Sequence, residues 1–232
     1  LPQISWLFIV ASLIPACLYS QVDPKMPEVT GKWKKYKQQV RDEPDKRMVE
    51  LKSLIPNIVY DLRYATVNNF MNRLMYPGNT RITFLREPVA EALSKVQLEL
   101  NNMGLGLKIF DAYRPYSVTV KFWELVRDER YVANPAKGSG HNRGIAVDLT
   151  IIDLKSGREL DMGTGFDNFS DTAHHSFTSL SEEVLHNRIL LKTLMEKYGF
   201  VALPTEWWHY YFSEGSRFEL LDIEFKKLKK DL

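Results

Sequence analysis

The sequence predicts an α+β domain with a mostly antiparallel sheet, on three observations. Stretches with helical apolar spacing are mixed with short runs of period-two alternation. They follow one another without a regular βαβ rhythm. The 232 residues, 44% hydrophobic and 26% charged, have the composition of one globular domain with a sizeable core. A net charge of +2 and the lack of a basic stripe or nucleic-acid motif argue against nucleic-acid binding.

Taken in order, Trp6–Leu18 (WLFIVASLIPACL) is almost wholly apolar yet short for a membrane span, and a charged stretch follows from Gln21. This reads as an export signal over residues 1–20. Neither an initiator Met nor a basic leader precedes it, which reads as a chain cut short at its start. The expected location is the bacterial periplasm or cell envelope, with the cytoplasm as the alternative for a segment that is not a working signal. Cys17, the single cysteine, lies in LIPAC, which loosely resembles a bacterial lipoprotein cleavage site. Membrane anchoring through Cys17 and simple removal with the signal are the two readings. On either, no internal disulfide forms. Residues 21–48, rich in charge and holding Pro24, Pro27 and Pro44, read as a linker or short arm ahead of a domain over 49–232.

Within the domain, Glu87–Met103 has Pro88 at a first helical position, Val89, Leu93, Val96 and Leu100 at helical spacing, and a stop at Gly104. LGLKIFDAY (105–113) reads as a strand. Ser117–Arg130 reads as a helix with Val118, Phe122, Leu125 and Val126 on one face. In Ile145–Ile151 the apolar positions alternate with Ala146, Asp148 and Thr150, which turns Asp148 to the face opposite the core. A helix over Ser181–Tyr198 closes at Gly199, and FVALPTEWWHYYF (200–212) is strand-like.

The stretch GSGHNRGIAVDLT (138–150) places a histidine and an aspartate beside a buried strand. Seven residues of straight strand span roughly 23 Å at about 3.3 Å each, too far to share an ion. Gly140 and Gly144 permit a loop that folds His141 back over the strand start. The alternative is a solvent-facing Asp148 and a surface His141. EWWH (206–209) supplies a further carboxylate and imidazole. His141, Asp148 and His209, with a fourth position open to water, would make a catalytic zinc set, one ion per chain, leaving Glu206 as a base. Residues three apart face opposite sides of a regular strand, so Glu206 and His209 meet only where the backbone turns or bulges. The helical His-Glu-x-x-His pattern is absent.

SGHNRGIAVDLT, followed some sixty residues later by EWWHY, resembles the VanX-type D-alanyl-D-alanine dipeptidases. These zinc peptidases share a fold with bacterial D-Ala-D-Ala carboxypeptidases and the Hedgehog signalling domain. YATVNNF (64–70), DAYRP (111–115) and MGTGFDNF (162–169) match in the same order, so the likeness covers roughly residues 50–212.

The resemblance implies His141, Asp148 and His209 as zinc ligands and Glu206 as general base and acid. It implies Arg114 as the group that meets the oxyanion, a surface arginine held by Pro115 being the alternative. Asp167 and Tyr64 are implied for the substrate ammonium and Ser139 for its carboxylate end; a packed aromatic and a turn hydroxyl are the alternatives for the last two. His174, His175 and His186 are left outside the site. Trp207, Trp208, Tyr210 and Tyr211 are read as core and pocket wall.

The implied function is zinc-dependent hydrolysis of D-Ala-D-Ala in cell-wall peptide metabolism. The alternatives are a carboxypeptidase on longer wall peptides, which has no need of Asp167, and a zinc-containing binding domain, which has no need of Glu206 and Arg114. A small D,D-dipeptide is the implied partner, with no protein partner.

Overall fold

The computed structural model describes residues 27–230. The export-signal reading over 1–20 and the anchoring reading of Cys17 lie outside the described residues. Among the described residues no helix is long and apolar enough to cross a membrane.

The segment 27–48, expected as a linker or short arm, is folded onto the domain. It holds β1 (Val29–Thr30), α1 (Trp33–Asp42) and the start of β2 (Met48–Glu50). Tyr36 of α1 is buried, and its hydroxyl accepts a hydrogen bond from Met48 N at 2.8 Å. After α2 (Leu51–Leu54), β3 (Val59–Tyr60) and β4 (Phe84–Arg86) comes α3 (Glu87–Asn101). As expected, it has Pro88 in its first turn and buries Val89, Leu93, Val96 and Leu100. Then follow β5 (Leu105–Asp111), α4 (Tyr116–Val126), the single turn α5 (Gly140–Arg143) and β6 (Ala146–Asp153). The chain ends with α6 (Glu182–Lys197), β7 (Phe200–Ala202), β8 (His209–Phe212), β9 (Leu220–Leu221) and α7 (Phe225–Lys229).

Two of these differ from the sequence reading. α4 buries Tyr116, Thr119 and Phe122, whereas Leu125 is 43% exposed. Thr119 takes an inward place with its hydroxyl accepting a hydrogen bond from Asn142, while Val118 and Val126 pack partly buried beside Phe122, so only Leu125 leaves the expected stripe. The stretch 200–212 is a hairpin, β7 and β8 joined by a turn over 203–208, because Pro204 and Thr205 break the ladder.

The main sheet has the order β3-β5-β6-β8-β7. Only the β3–β5 pair is parallel, so the expected α+β class with a mostly antiparallel sheet holds. Val147, Leu149 and Ile151 of β6 join α3 and α6 residues such as Leu93, Val96, Leu191 and Met195 in one core. A second core gathers Tyr36, Tyr64, Tyr76, Phe84, Phe122 and Phe225 around the N-terminal arm, α4 and the C-terminal helix.

One irregularity positions the site. β5 pairs with β6 through Ile109↔Leu149 and then Asp111↔Asp148, so Phe110 is one residue more than the partner strand supplies. Such a bulge re-aims the side chains beyond it. Ile109 stays on the core face, and Asp111 moves to the face of Asp148. Asp148 in turn pairs with His209. Directly opposite residues share a face. Three polar residues from three neighbouring strands therefore stand side by side at one end of the sheet.

Candidate metal centre and active site

His141 reaches this row through α5. The turn starts at Ser139, whose hydroxyl oxygen accepts from Asn142 N, while Ser139 N donates to Asn142 Oδ1 at 3.0 Å. It stops at Gly144, left-handed at φ +71, where an L side chain is strained. Gly140 packs against the strand it precedes: an added Cβ would lie 2.8 Å from Ala146 Cβ. The buried Arg86 holds the turn from behind, with its N donating to Gly144 O and its Nε to Arg143 O, each at 2.8 Å. The two glycines thus let His141 fold back over β6, the first of the two arrangements the sequence permits.

The result is a cluster of three donors. His141, Asp148 and His209 each offer a ligand atom within 4.8 Å of the others. Asp148 Oδ1 lies 2.8 Å from His209 Nδ1, and Oδ2 lies 3.4 Å from His141 Nε2. The set fits a divalent ion on its own chemistry: two imidazoles and one carboxylate, at a spacing that small side-chain movements close onto an ion held at about 2.0–2.2 Å. A further contact prepares it. His141 Nδ1 lies 2.7 Å from Ala112 O, which fixes the proton on that nitrogen and leaves the Nε2 lone pair for the ion. Asp148 is almost fully buried, which alone would raise its pKa; His141 and His209 outweigh burial and hold it well below the usual carboxylate range.

Glu206 sits in the turn before β8. Its N donates to Leu203 O at 3.2 Å, and its O accepts from His209 N at 3.3 Å. This turn resolves the strand-parity problem, bringing a Glu206 carboxylate oxygen to 4.0 Å from His209 Nδ1. Burial, reinforced by Asp148 and Asp167, raises the Glu206 carboxyl to about 7. That suits a group that must both take and give a proton near neutrality.

Arg114, in the turn between β5 and α4, is 8% exposed. Its Nε and Nη2 donate to Asp111 Oδ2 at 3.1 and 2.8 Å, and its guanidinium lies 5.1 Å from the Tyr64 ring centre and 4.9 Å from that of Phe122. Burial opposes its charge, and Asp111 more than restores it. Across the pocket, Asp167 has φ +61 and accepts a hydrogen bond from the Tyr64 hydroxyl at 3.0 Å. Its other carboxylate oxygen is buried and has no partner. Burial, then the charge of Asp148, push this carboxyl up to about 7. A cation beside it would relieve both.

One cavity of about 670 Å³ is lined by all eight residues: Tyr64, Arg114, Ser139, His141, Asp148, Asp167, Glu206 and His209. Tyr64 is 4% exposed and reaches the cavity as the group that holds Asp167. The Ser139 hydroxyl caps α5 while lining the cavity. His174 also lines it; His175 instead packs edge-on against Tyr210, with Nε2 buried and unpartnered.

Three supporting groups escape the sequence reading. Asp111 anchors Arg114 and accepts from the Tyr76 hydroxyl at 2.6 Å. The only sequence signal is a carboxylate three residues before Arg114 at the end of an apolar strand. Asn142, fully buried, donates to Arg114 O at 2.9 Å and to Thr119 Oγ1 at 2.8 Å, so it ties the turn that carries His141 to the turn that carries Arg114. The carbonyl of Ala112 leaves no sequence signal.

The chain is similar to several known proteins. The D-alanyl-D-alanine dipeptidase of Escherichia coli is 34% identical over 181 residues, which cover 77% of this chain and 91% of that protein. The Enterococcus faecalis protein of the same name is 30% identical over 178 residues, 69% of this chain and 88% of its own length. Among solved structures, the LdcB LD-carboxypeptidase aligns at 19% identity and TM-score 0.38 over 64% of this chain and 65% of its own. The VanY D,D-pentapeptidase with Zn(II) aligns at 16% and 0.37 over 62% and 85%. The model of the peptidase M15 family described as D-ala-D-ala dipeptidase matches residues 45–228, and it is to this family of metallopeptidases that the chain belongs.

Proposed function

We propose that this chain is a zinc enzyme that hydrolyses D-Ala-D-Ala to two D-alanines, with His141, Asp148 and His209 holding the ion. The observation that carries this reading is the unpartnered, buried oxygen of Asp167 in the same cavity as the three donors and Glu206. A free dipeptide has an ammonium at one end, and a buried carboxylate without a cation is a place for it. A longer wall peptide has an amide there and gains nothing from Asp167.

Bound by the three donors, zinc supplies Lewis acidity that polarises water and the scissile carbonyl. The rest falls to the chain. Asp167, fixed by Tyr64, seats the ammonium and so sets which peptide bond lies beside Glu206. Glu206 takes a proton from the attacking water and returns it to the leaving amine, so one water is consumed and two amino acids leave. Arg114, held by Asp111, puts a fixed positive charge where the tetrahedral carbon's oxygen becomes negative, which is typically worth about 100- to 1000-fold in rate. Ser139, whose oxygen is occupied by the α5 cap, keeps its hydroxyl proton to donate to the substrate carboxylate.

The test is D-alanine release from D-Ala-D-Ala and from a D-Ala-D-Ala-terminated pentapeptide, after chelation and zinc restoration. Zinc-dependent cleavage of the dipeptide alone is expected, with Glu206→Gln lowering kcat about 10²- to 10⁴-fold. Cleavage of the pentapeptide with the dipeptide untouched would overturn the reading. Export through residues 1–20 would place the enzyme among wall-derived peptides, with scavenging or remodelling of them as its role; activity in the periplasmic fraction of expressing cells tests that location.

A further inference from the structure

The cavity is larger than its proposed substrate. D-Ala-D-Ala has eleven non-hydrogen atoms, whereas 670 Å³ has room for about twenty waters at about 30 Å³ each. The additional space borders aromatic rings. Phe70 stacks on Phe122 with ring centres 5.8 Å apart and planes 8° apart. Phe169 stands edge-on to Phe70 at 5.1 Å, and Tyr131 tilts against Phe169 at 5.0 Å. All four rings line the cavity; Phe122 is buried, Phe70 and Phe169 are half-buried, and Tyr131 is 38% exposed.

The row begins at the ammonium end. Tyr64, which holds Asp167, lies edge-on to Phe70 and Phe122 at 6.4 and 4.9 Å, and the Phe70 amide is near enough to Asp167 to favour its ionised form. At the rim Glu129 accepts from Asn134 and Lys137 and Arg130 pairs with Asp128, while the exposed Asp171 stands 3.9 Å from His174 Nε2. Glu129 and Arg130 are thus met by their own neighbours, and the aromatic rings offer a substrate side chain apolar contact.

We infer that the row Phe70, Phe122, Phe169 and Tyr131 is the pocket for the side chain of the dipeptide's first residue. It takes D,D-dipeptides whose N-terminal residue is large and apolar, such as D-Leu or D-Phe. This rests on the dipeptidase reading and on Asp167 as the ammonium site, since a side chain on the carbon bearing the ammonium then projects beside Phe70. A methyl group leaves most of the wall in water, and burying even two more methylenes suffices for a tenfold gain.

The experiment compares kcat/KM of the zinc-loaded full chain on D-Ala-D-Ala, D-Leu-D-Ala, D-Phe-D-Ala and D-Ala-D-Phe, and binding of the same four peptides by calorimetry. D-Leu-D-Ala and D-Phe-D-Ala are expected to exceed D-Ala-D-Ala at least tenfold in kcat/KM and in affinity. Phe169→Ala and Tyr131→Ala should each lower the D-Phe-D-Ala to D-Ala-D-Ala ratio at least tenfold. The ratio is read within one preparation, so a partly misfolded variant does not distort it, and the half-exposed Tyr131 is the safer truncation. Cleavage of D-Ala-D-Ala with no preference for D-Phe-D-Ala, or ratios unchanged in both variants, would overturn the inference alone. Cleavage of none of the four would overturn the activity, and binding would still decide the pocket: D-Phe-D-Ala no tighter than D-Ala-D-Ala refutes it.

Discussion

Asp111 lies outside the donor set, yet the structure makes it a support of Arg114, and removing it should be costly in two separable ways. Its side chain is fully buried and Arg114 is 8% exposed, with two hydrogen bonds between them and a third from Tyr76. Asp111→Ala leaves a guanidinium buried without its counter-charge. Breaking a buried pair in this way costs about 3–5 kcal/mol. At about 2–4 °C per kcal/mol for a domain of this size, Tm should fall by about 6–20 °C. The guanidinium would also lose its fixed aim, so kcat on D-Ala-D-Ala should drop about 100- to 1000-fold at a temperature where the variant is folded.

Urea unfolding of Asp111→Ala, Arg114→Ala and the double variant separates the pair from general damage. With Arg114 gone, Asp111→Ala has no stranded charge to create, so the double variant should be less destabilised than the sum of the singles, by about 0.5–3 kcal/mol. Costs that add within about 0.5 kcal/mol, or an Asp111→Ala enzyme with full kcat, would refute the argument.

Other consequences follow from the same contacts. Asn142→Ala cuts the tie between the His141 turn and the Arg114 turn, and zinc affinity in a competitive chelator titration should weaken about 10- to 100-fold, the range seen when groups supporting metal ligands are removed. Chelation should lower Tm: zinc at a thousand times its Kd contributes about 4 kcal/mol, so the metal-free protein should melt about 8–16 °C lower by calorimetry. His175 is held neutral, its pKa lowered to about 4 from 6.5 by burial and then by Lys192 and Arg188. The unfolded chain binds the proton that the folded chain refuses, so this residue removes stability as pH falls from about 6.5 to about 4 and has no effect above. The ring is partly exposed, so solvent screening reduces the loss to about 1–2 kcal/mol, and His175→Gln should gain that much relative to the unsubstituted protein at pH 4.5 but not at pH 7.5.

Much of this molecule is written locally. The Pro88 start and the spacing of Val89, Leu93, Val96 and Leu100 specify α3, because a helix face is set by residues three and four apart. The alternation in Ile145–Ile151 turns Asp148 away from the core because side-chain direction in a strand repeats every two residues. Gly140 and Gly144 announce a tight reversal through the backbone conformations they permit. The donor types of His141, Asp148 and His209, and the carboxylate of Glu206, are likewise legible, since their chemistry belongs to the side chains themselves.

What no local pattern states is which strands lie together and in what register. That Asp148 stands opposite His209 depends on the β6–β8 pairing, and that Asp111 stands beside Asp148 depends on the bulge at Phe110. Long-range pairing is chosen by burial of the whole sheet, so residues 37 and 61 positions apart along the chain become neighbours with no mark of it in their own surroundings. The polar anchoring of Thr119 by Asn142 and the unpartnered oxygen of Asp167 arise in the same way. The residues carry the chemistry, and the packing of the sheet against its two cores decides which of them meet.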